Sequence, residues 1–371
     1  LARTKIEWAD YTFNPWIGCT KVSEGCKNCY AEALSKRAPH LVLGQDKAAA
    51  KLPIWGGGAP RRVTSFMNWN QVERWNAKAE QEGVRRRVFI ASMADVFEDF
   101  HGKVLNVGTM KGLDGVREKL FNLIEDCPAL DMLLLTKRPE NVLKMVPKAW
   151  VHEDYCGWFK GGLCTCQRLG SNWPDHVWIG CTVENQERAE ERIPQLLKIP
   201  APVRFVSYEP ALGPVDFDRG RCDTHDRQFV RTDEGGHEYC NECAANDSTG
   251  ELSHGHWLRA YPSKTRRGIN WVIAGGESGN NARPCAIEWL QDAREQCAEA
   301  GVPFFGKQMG AYVVSEARAA SSQEELDDLG IPGIYPQDRW LWRAGLSDKK
   351  GADVEQWPND LGTRQFPEVS R

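Results

Sequence analysis

Met132-Leu-Leu-Leu-Thr136 is a short, unbroken apolar run that ends on a hydroxyl, and the chain repeats that form. It returns as Val88-Phe-Ile-Ala-Ser92, Val177-Trp-Ile-Gly-Cys181, Val203-Arg-Phe-Val-Ser207, Trp271-Val-Ile-Ala-Gly275 and Val302-Pro-Phe-Phe-Gly306. Helix-compatible stretches separate the runs, and this alternation is the rhythm of α/β proteins. Runs so continuously apolar suit strands of a parallel sheet covered on both faces by helices, because a solvated face would impose an apolar/polar alternation. With one more strand expected before Cys19, the count predicts an open or closed barrel of roughly six to eight βα units. A doubly wound open sheet is the alternative, since apolar runs do not disclose closure.

In either architecture the loops after the strands converge at the C-terminal edge of the sheet, so chemistry is expected there. The run ends are polar: Ser92 with Asp95, Thr136 with Lys137 and Arg138, Thr182 with Glu184 and Asn185, Ser207 with Glu209, Glu277 with Ser278, and Lys307 with Gln308. Any one of these serves equally well as a helix cap or a surface ion pair. Their repetition points to one shared polar pocket. Lys137, Arg138 and Lys307 suit phosphates or a carboxylate on a substrate, with internal salt bridges to Glu209 or Glu277 as the plain alternative. Gly275-Gly-Glu-Ser-Gly279 offers close backbone approach and a carboxylate, although as a standalone glycine loop it is a weak signal. In the region before the second run, Trp69, Val72 and Trp75 share one helix face and are expected in the core.

The stretch Cys19-Thr-Lys-Val-Ser-Glu-Gly-Cys26-Lys-Asn-Cys29-Tyr30 places three thiols within eleven residues. The short C-x-x-C half lets both sulfurs reach one metal centre, and Gly25 relaxes the approach. Tyr30-Ala-Glu-Ala-Leu-Ser-Lys-Arg37 leads out as a helix, so the cysteines occupy a loop between an extended segment and that helix. A structural zinc wants four protein ligands, whereas an iron-sulfur cluster can keep one iron free for a substrate or cofactor. The next cysteine is Cys127, which favours the open site. A zinc completed by a distant residue such as Cys181, or three unrelated buried thiols, are the other readings.

The segment Ile6-Glu-Trp-Ala-Asp-Tyr-Thr-Phe-Asn-Pro-Trp-Ile-Gly-Cys-Thr-Lys-Val-Ser-Glu-Gly-Cys-Lys-Asn-Cys-Tyr-Ala31 resembles the opening of a phage-associated three-cysteine family, the gene product 37/68 type, related to radical S-adenosylmethionine (SAM) enzymes. Leu134-Leu-Thr-Lys-Arg-Pro-Glu140, Trp178-Ile-Gly-Cys-Thr-Val-Glu-Asn185, Ser207-Tyr-Glu-Pro210, Gly275-Gly-Glu-Ser-Gly279 and Pro303-Phe-Phe-Gly-Lys-Gln308 are similar to later parts of that family. The usual radical motif has three residues between its first two cysteines; here there are six. The resemblance implies a radical-SAM-like partial (βα) barrel whose Cys19, Cys26 and Cys29 hold a 4Fe-4S cluster, with SAM on the fourth iron. Ser92 and Asp95 then become candidates for the amino end of SAM, and Glu184 and Asn185 for its ribose. Thr182, Gly275, Gly276 and Ser278 join them as cofactor-binding candidates. Lys137, Arg138, Glu209, Glu277 and Lys307 are the catalytic candidates.

Two insertions break the rhythm. Tyr155-Cys-Gly-Trp-Phe-Lys-Gly-Gly-Leu-Cys-Thr-Cys166 is a glycine-rich loop whose Cys156, Cys164 and Cys166 are either a second structural metal site, with His152, His176 or a residue of the other insertion as added ligand, or free thiols. Cys222-Asp-Thr-His225 and Cys240-Asn-Glu-Cys243 have zinc-ribbon-like spacing, and four such ligands close a tetrahedral site. The expected division is 1–150, the first part of the barrel with the cysteine loop; 151–176, the cysteine-rich insertion; 177–216, barrel continued; 217–268, the zinc-ribbon-like insertion; 269–310, barrel end; and 311–371, a C-terminal extension.

With 371 residues the chain can bury a substantial core, and its formal charge of -4 argues against indiscriminate attraction to nucleic acid while leaving room for a local basic groove. No apolar run approaches bilayer-spanning length and the opening residues carry no charged-then-apolar signal, so a cytoplasmic protein away from membranes is expected. Thirteen cysteines grouped as C-x-x-C and C-x-C suggest metal binding over a disulfide framework. The leading expectation is a radical SAM enzyme that needs a reducing electron donor and acts on nucleic acid or a nucleotide. The alternative is a non-enzymatic, zinc-stabilised nucleic-acid-binding or adaptor protein.

Overall fold

The computed structural model describes residues 3–37, 53–151, 172–217, 268–315, 350–358 and 360–368, residue 348, and the backbone of four short strands at 231–232, 238–239, 334–336 and 342–344. All six apolar runs form strands, and the seventh strand precedes Cys19 as expected. They are β1 (Tyr11–Phe13), β2 (Arg86–Ile90), β3 (Leu130–Thr136), β4 (Val177–Thr182), β5 (Arg204–Tyr208), β6 (Trp271–Gly275) and β7 (Phe304–Gln308). Hydrogen bonding links them in the order β1-β2-β3-β4-β5-β6-β7, and every neighbouring pair is parallel.

That order decides between the two architectures. Each strand lies beside the one before it, so the winding never reverses, whereas a doubly wound sheet must turn back at a switch point. The sheet instead curls into a seven-stranded half-barrel, with β1 and β7 as its outermost strands.

The expectation of helices on both sheet faces is corrected by the packing. Helices α1 (Tyr30–Arg37), α2 (Phe66–Glu82), α3 (Gly112–Glu125), α4 (Gln186–Leu197) and α5 (Ile287–Glu299) connect the strands. The outer core joins residues of α2 to α5 to one parity of each strand, including Val88, Leu134, Ile179, Val206, Val272 and Phe304. The opposite parity, Phe89, Leu133, Trp178, Phe205, Trp271 and Phe305, forms a separate inner cluster with Trp8 and contains no helix residue. Aromatic bulk fills the concave face, so both parities are apolar although, among the described residues, only one carries helices. On α2 the expected core stripe is present: Trp75 stacks on Tyr11 at 4.4 Å and Trp69 meets Phe13 edge-on at 5.2 Å.

Both the floor of the half-barrel and its last edge are finished by residues near the C-terminus. Arg364 bridges antiparallel to Phe305, and the Gly306 amide donates to the Thr363 carbonyl at 2.8 Å. Phe366 packs on Trp271 and Phe305 at 5.5 and 5.3 Å, under the Arg87 guanidinium. Trp357 is buried and donates its indole N–H to the Gly351 carbonyl at 3.0 Å.

A small sheet of Trp16–Ile17, Arg61–Val63 and Val104–Leu105 flanks the entrance to the cysteine loop. Within the second insertion, Arg231–Thr232 pairs antiparallel with Glu238–Tyr239, just before the C-x-x-C. Among the described residues, no helix is long and apolar enough to cross a membrane.

Candidate functional site

The alternation that sends Leu135, Phe205, Ile273 and Phe305 inward continues toward the C-terminal edge of the sheet. It carries Lys137, Thr182, Ser207, Gly275 and Lys307 to the inner side of the mouth. Across this mouth lies the loop that follows β1. Gly18 opens it with φ +111, a conformation that L side chains rarely adopt, and a Cβ there would fall 2.3 Å from the Ile54 carbonyl oxygen. The Gly18 amide donates to the Met93 carbonyl at 3.1 Å, which ties the loop to the end of β2.

At Cys19 and Thr20 the loop rests on buried charge. Glu98 accepts from Arg61 Nε at 2.8 Å, from Arg61 Nη2 at 2.7 Å and from the Thr20 amide at 2.8 Å. Arg61, with its side chain wholly buried, also donates to Thr20 Oγ1 at 2.7 Å. Arg138 donates to the Thr20 carbonyl at 2.8 Å and to Asp95 at 2.8 Å, and stands 3.8 Å from Cys19 Sγ. Burial, with the Asp95 and Glu98 carboxylates acting in the same sense and Arg138 against them, pushes the Cys19 thiol up to about 12.

From Ser23 to Asn28 the loop is held by the ends of β4 and β6. Ser23 Oγ donates to Glu184 at 2.6 Å, and Asn185 and Arg188 reach Glu24 at 2.7 and 3.3 Å. Burial raises the Glu24 carboxyl, but its own backbone amide, Asn185 and Arg188 outweigh that and hold it below its ordinary value. Asn28 donates to Glu277 at 2.9 Å and to the Asn281 carbonyl at 2.7 Å, while Arg283 donates to Glu277 and to the Glu24 carbonyl at 2.9 Å. Cys26 closes a 3-10 turn over Glu24–Cys26, and Cys29 packs beside Ile17, Ile54 and Met93. All three cysteines are half-buried and unbonded to other cysteines. A cavity of about 490 Å³ adjoins the loop, with Thr20, Val22, His101, Lys137, Arg138 and Asn141 among its lining residues.

The other sequence candidates divide into engaged and open groups. Asp95 accepts from Thr136 Oγ1, the Lys137 amide and Arg138, so it organises the end of β3. Glu184 is fully buried, with one oxygen on Ser23 and the other on Arg192 at 2.8 Å. Lys307 pairs with Glu209 at 2.9 Å, one of the internal salt bridges the sequence left open. Arg138 finds Asp95 instead of Glu209 or Glu277. Lys137 stands 3.9 Å from the nearest Glu184 oxygen. The close backbone approach at Gly275 and Gly276 is used by the chain itself, since a Cβ would fall 2.7 Å from the Gln308 carbonyl oxygen and 2.1 Å from that of Met309. Ser278 is half-buried, and Ser92 shares hydrogen bonds with Asn14 at 3.1 and 3.3 Å.

Asn14, Ser23, Asn28, Arg61, Glu98, Arg192 and Arg283 escaped the sequence reading. Ser23 and Asn28 sit inside the cysteine stretch and could have been weighed with it; the others carry no local signal. Cys156, Cys164, Cys166, Cys222, His225, Cys240, Cys243 and His152 lie outside the described residues. His176 is buried, with Nε2 2.9 Å from the Ile124 carbonyl, and Cys181 is buried in the outer core. Among the described residues no three Cys, His, Asp or Glu side chains gather round a single metal-ion position.

Fold and site together define a half-barrel protein with a three-cysteine loop laid across its mouth. The sequence matches one family, described as a protein of unknown function (DUF5131), over residues 3–333, and the chain belongs to that family. No curated protein and no solved structure matches it.

Proposed function

We propose that the protein is a radical SAM enzyme whose 4Fe-4S cluster is held by Cys19, Cys26 and Cys29. The observation that carries this reading is the placement of three half-buried, unpaired thiols on one loop across the C-terminal mouth of a half-barrel wound in one direction. The donor set suits a cubane: its thiolates bind different irons, so their sulfurs stand farther apart than the ligands of one ion. When bound and reduced, such a cluster would supply one electron to the sulfonium of SAM, breaking its C5'–S bond to release methionine and a 5'-deoxyadenosyl radical that would take a hydrogen atom from a substrate.

The chain's own residues bind and orient. Thr182 and Ser278 offer hydroxyl groups to SAM around the mouth, while Ser92 and Asn185 stand in the same ring engaged with Asn14 and with Glu24 and the Arg188 amide. Asp95 and Glu184 stand in the same ring with their oxygens already engaged, so their support of this site runs through Arg138 and Ser23. Lys137 and Lys307 present cations on the inner side of the mouth, which favours an anionic substrate such as a nucleotide or nucleic acid. Glu209 holds the Lys307 ammonium in place. The aromatic floor of Trp8, Trp178 and Trp271 seals the inner face from water below.

The test is anaerobic purification and reconstitution. Brown protein with about four irons at these cysteines, an absorption band that dithionite bleaches, and 5'-deoxyadenosine release from SAM are expected. Colourless protein that carries only zinc after reconstitution would overturn the reading in favour of a zinc-stabilised binding protein.

A further inference from the structure

Building on the cluster reading above, we propose that Glu184 is a positioning residue for the C-x-x-C half of the cysteine loop, acting through Ser23 and Gly25. Glu184 lies two residues past β4 and has no solvent exposure. A buried carboxylate needs a partner, and Arg192 on α4 supplies it by donating Nη1 to Oε2 at 2.8 Å. That ion pair fixes the carboxyl and turns Oε1 toward the loop. There it accepts from Ser23 Oγ at 2.6 Å, a charge-assisted bond of the strong class.

Gly25 lies against the same carboxyl. A Cβ at this position would fall 2.3 Å from Glu184 Oε1, 2.6 Å from Cγ and 2.8 Å from Cδ. The neighbour is buried and held by Arg192, so it cannot yield as a flexible side-chain tip would. Ser23 Oγ in turn stands 3.9 Å from Cys26 Sγ. One carboxylate therefore touches the loop at residues 23 and 25 and sets the height of the turn that ends in Cys26. Asn185 on Glu24 and Asn28 on Glu277 brace the two sides of that contact. With both oxygens taken, Glu184 acts on the cysteines through the loop.

The experiment uses the full chain. In metal-free protein, hydrogen exchange over residues 19–29 is measured for Ser23→Ala, Ser23→Thr and Gly25→Ala. Ser23→Ala is expected to accelerate loop exchange by about tenfold at an unchanged thermal midpoint, since it removes one hydrogen bond to a charged acceptor. Ser23→Thr keeps the hydroxyl and is expected to restore the wild-type rate, while Gly25→Ala exceeds the effect of Ser23→Ala. After anaerobic reconstitution, Ser23→Ala and Gly25→Ala are expected to bind less iron, or to give an altered electron paramagnetic resonance spectrum of the reduced protein. Three results would each overturn the proposal: unchanged loop exchange in both variants; loosening matched by an equal loss of global stability; or wild-type iron content and spectrum in a loosened variant. Wild-type protein that takes up no iron would instead overturn the cluster reading, and the exchange measurements would still decide whether Glu184 clamps the loop.

Discussion

Cys19 and Thr20 stand on Arg61, Glu98, Asp95 and Arg138, charges packed beneath the surface that satisfy one another. From Ser23 to Asn28 the partners are mixed: Glu184 with Arg192 is buried beneath Ser23 and Gly25, but Glu24 at the centre of the turn is held by a pair at the surface. The Arg61 and Glu98 side chains are 0% and 3% exposed, whereas those of Arg188 and Glu24 are 22% and 33% exposed. Buried pairs are costly to form and more costly to break, because loss of one member strands the other away from water. Wet pairs exchange their partner for solvent at little cost. The difference teaches that the first cysteine belongs to the foundation of the fold, while the turn that carries the second and third joins one buried anchor, Glu184, to surface contacts that can loosen without unfolding it.

The hardest way to break this contrast is Glu98→Ala, which leaves the Arg61 guanidinium buried without its carboxylate. A loss of about 3–5 kcal/mol in urea denaturation is expected. A loss near that of a surface pair would show that water reaches Arg61 and would erase the distinction. A smaller effect, on reactivity, is expected at Cys19 itself. With its thiol pushed up to about 12 by burial and by the neighbouring Asp95 and Glu98 carboxylates, little thiolate is present at pH 8. Alkylation of Cys19 in the metal-free protein should run about tenfold or more below that of glutathione, read by peptide mass spectrometry. Equal rates would place Cys19 in the wet half of the loop.

The smallest expected effect is one of pH, and it sharpens the comparison from the other side. Burial raises the Glu277 carboxyl, but hydrogen bonds from Arg283 and Asn28 outweigh it and hold the group below its ordinary value. A depressed carboxyl contributes stability that is fully present above its unfolded value, near pH 4.3, and is lost as pH falls through the lower folded value. Thermal midpoints of wild type should therefore fall further between pH 6 and pH 3 than those of Glu277→Gln. Parallel curves would remove Glu277 from the set of contacts holding the loop.

Much of this was legible in the chain, and the illegible part has a physical cause. The strands announce themselves because Val, Ile, Leu and Phe follow one another without a polar break. Their one-sided helical cover was hidden because Phe89, Trp178, Phe205 and Trp271 make the inner parity as apolar as the outer. The three cysteines are local and easily read. The service that Asp95 and Glu184 render them is not, since Glu184 meets Ser23 across 161 positions and Asp95 meets Arg138 across 43. Polar strand ends could be recognised as a set, but sequence does not distinguish a carboxylate that faces the mouth from one engaged by an arginine behind it. Arg61 illustrates the limit: Arg61-Arg62 reads as surface charge, and only the small sheet that draws it under Thr20 buries it.

The antiparallel bridge that Arg364 makes to Phe305, and the ring that Phe366 sets against Trp271, have a consequence for how the molecule is made. A growing polypeptide can pair β1 through β7 while those late residues are still inside the ribosome. During that interval it exposes an unpaired outer strand and a pool of indole and phenyl groups to solvent or to any chaperone at hand. Arrival of Arg364 and Phe366 is what withdraws both from reach.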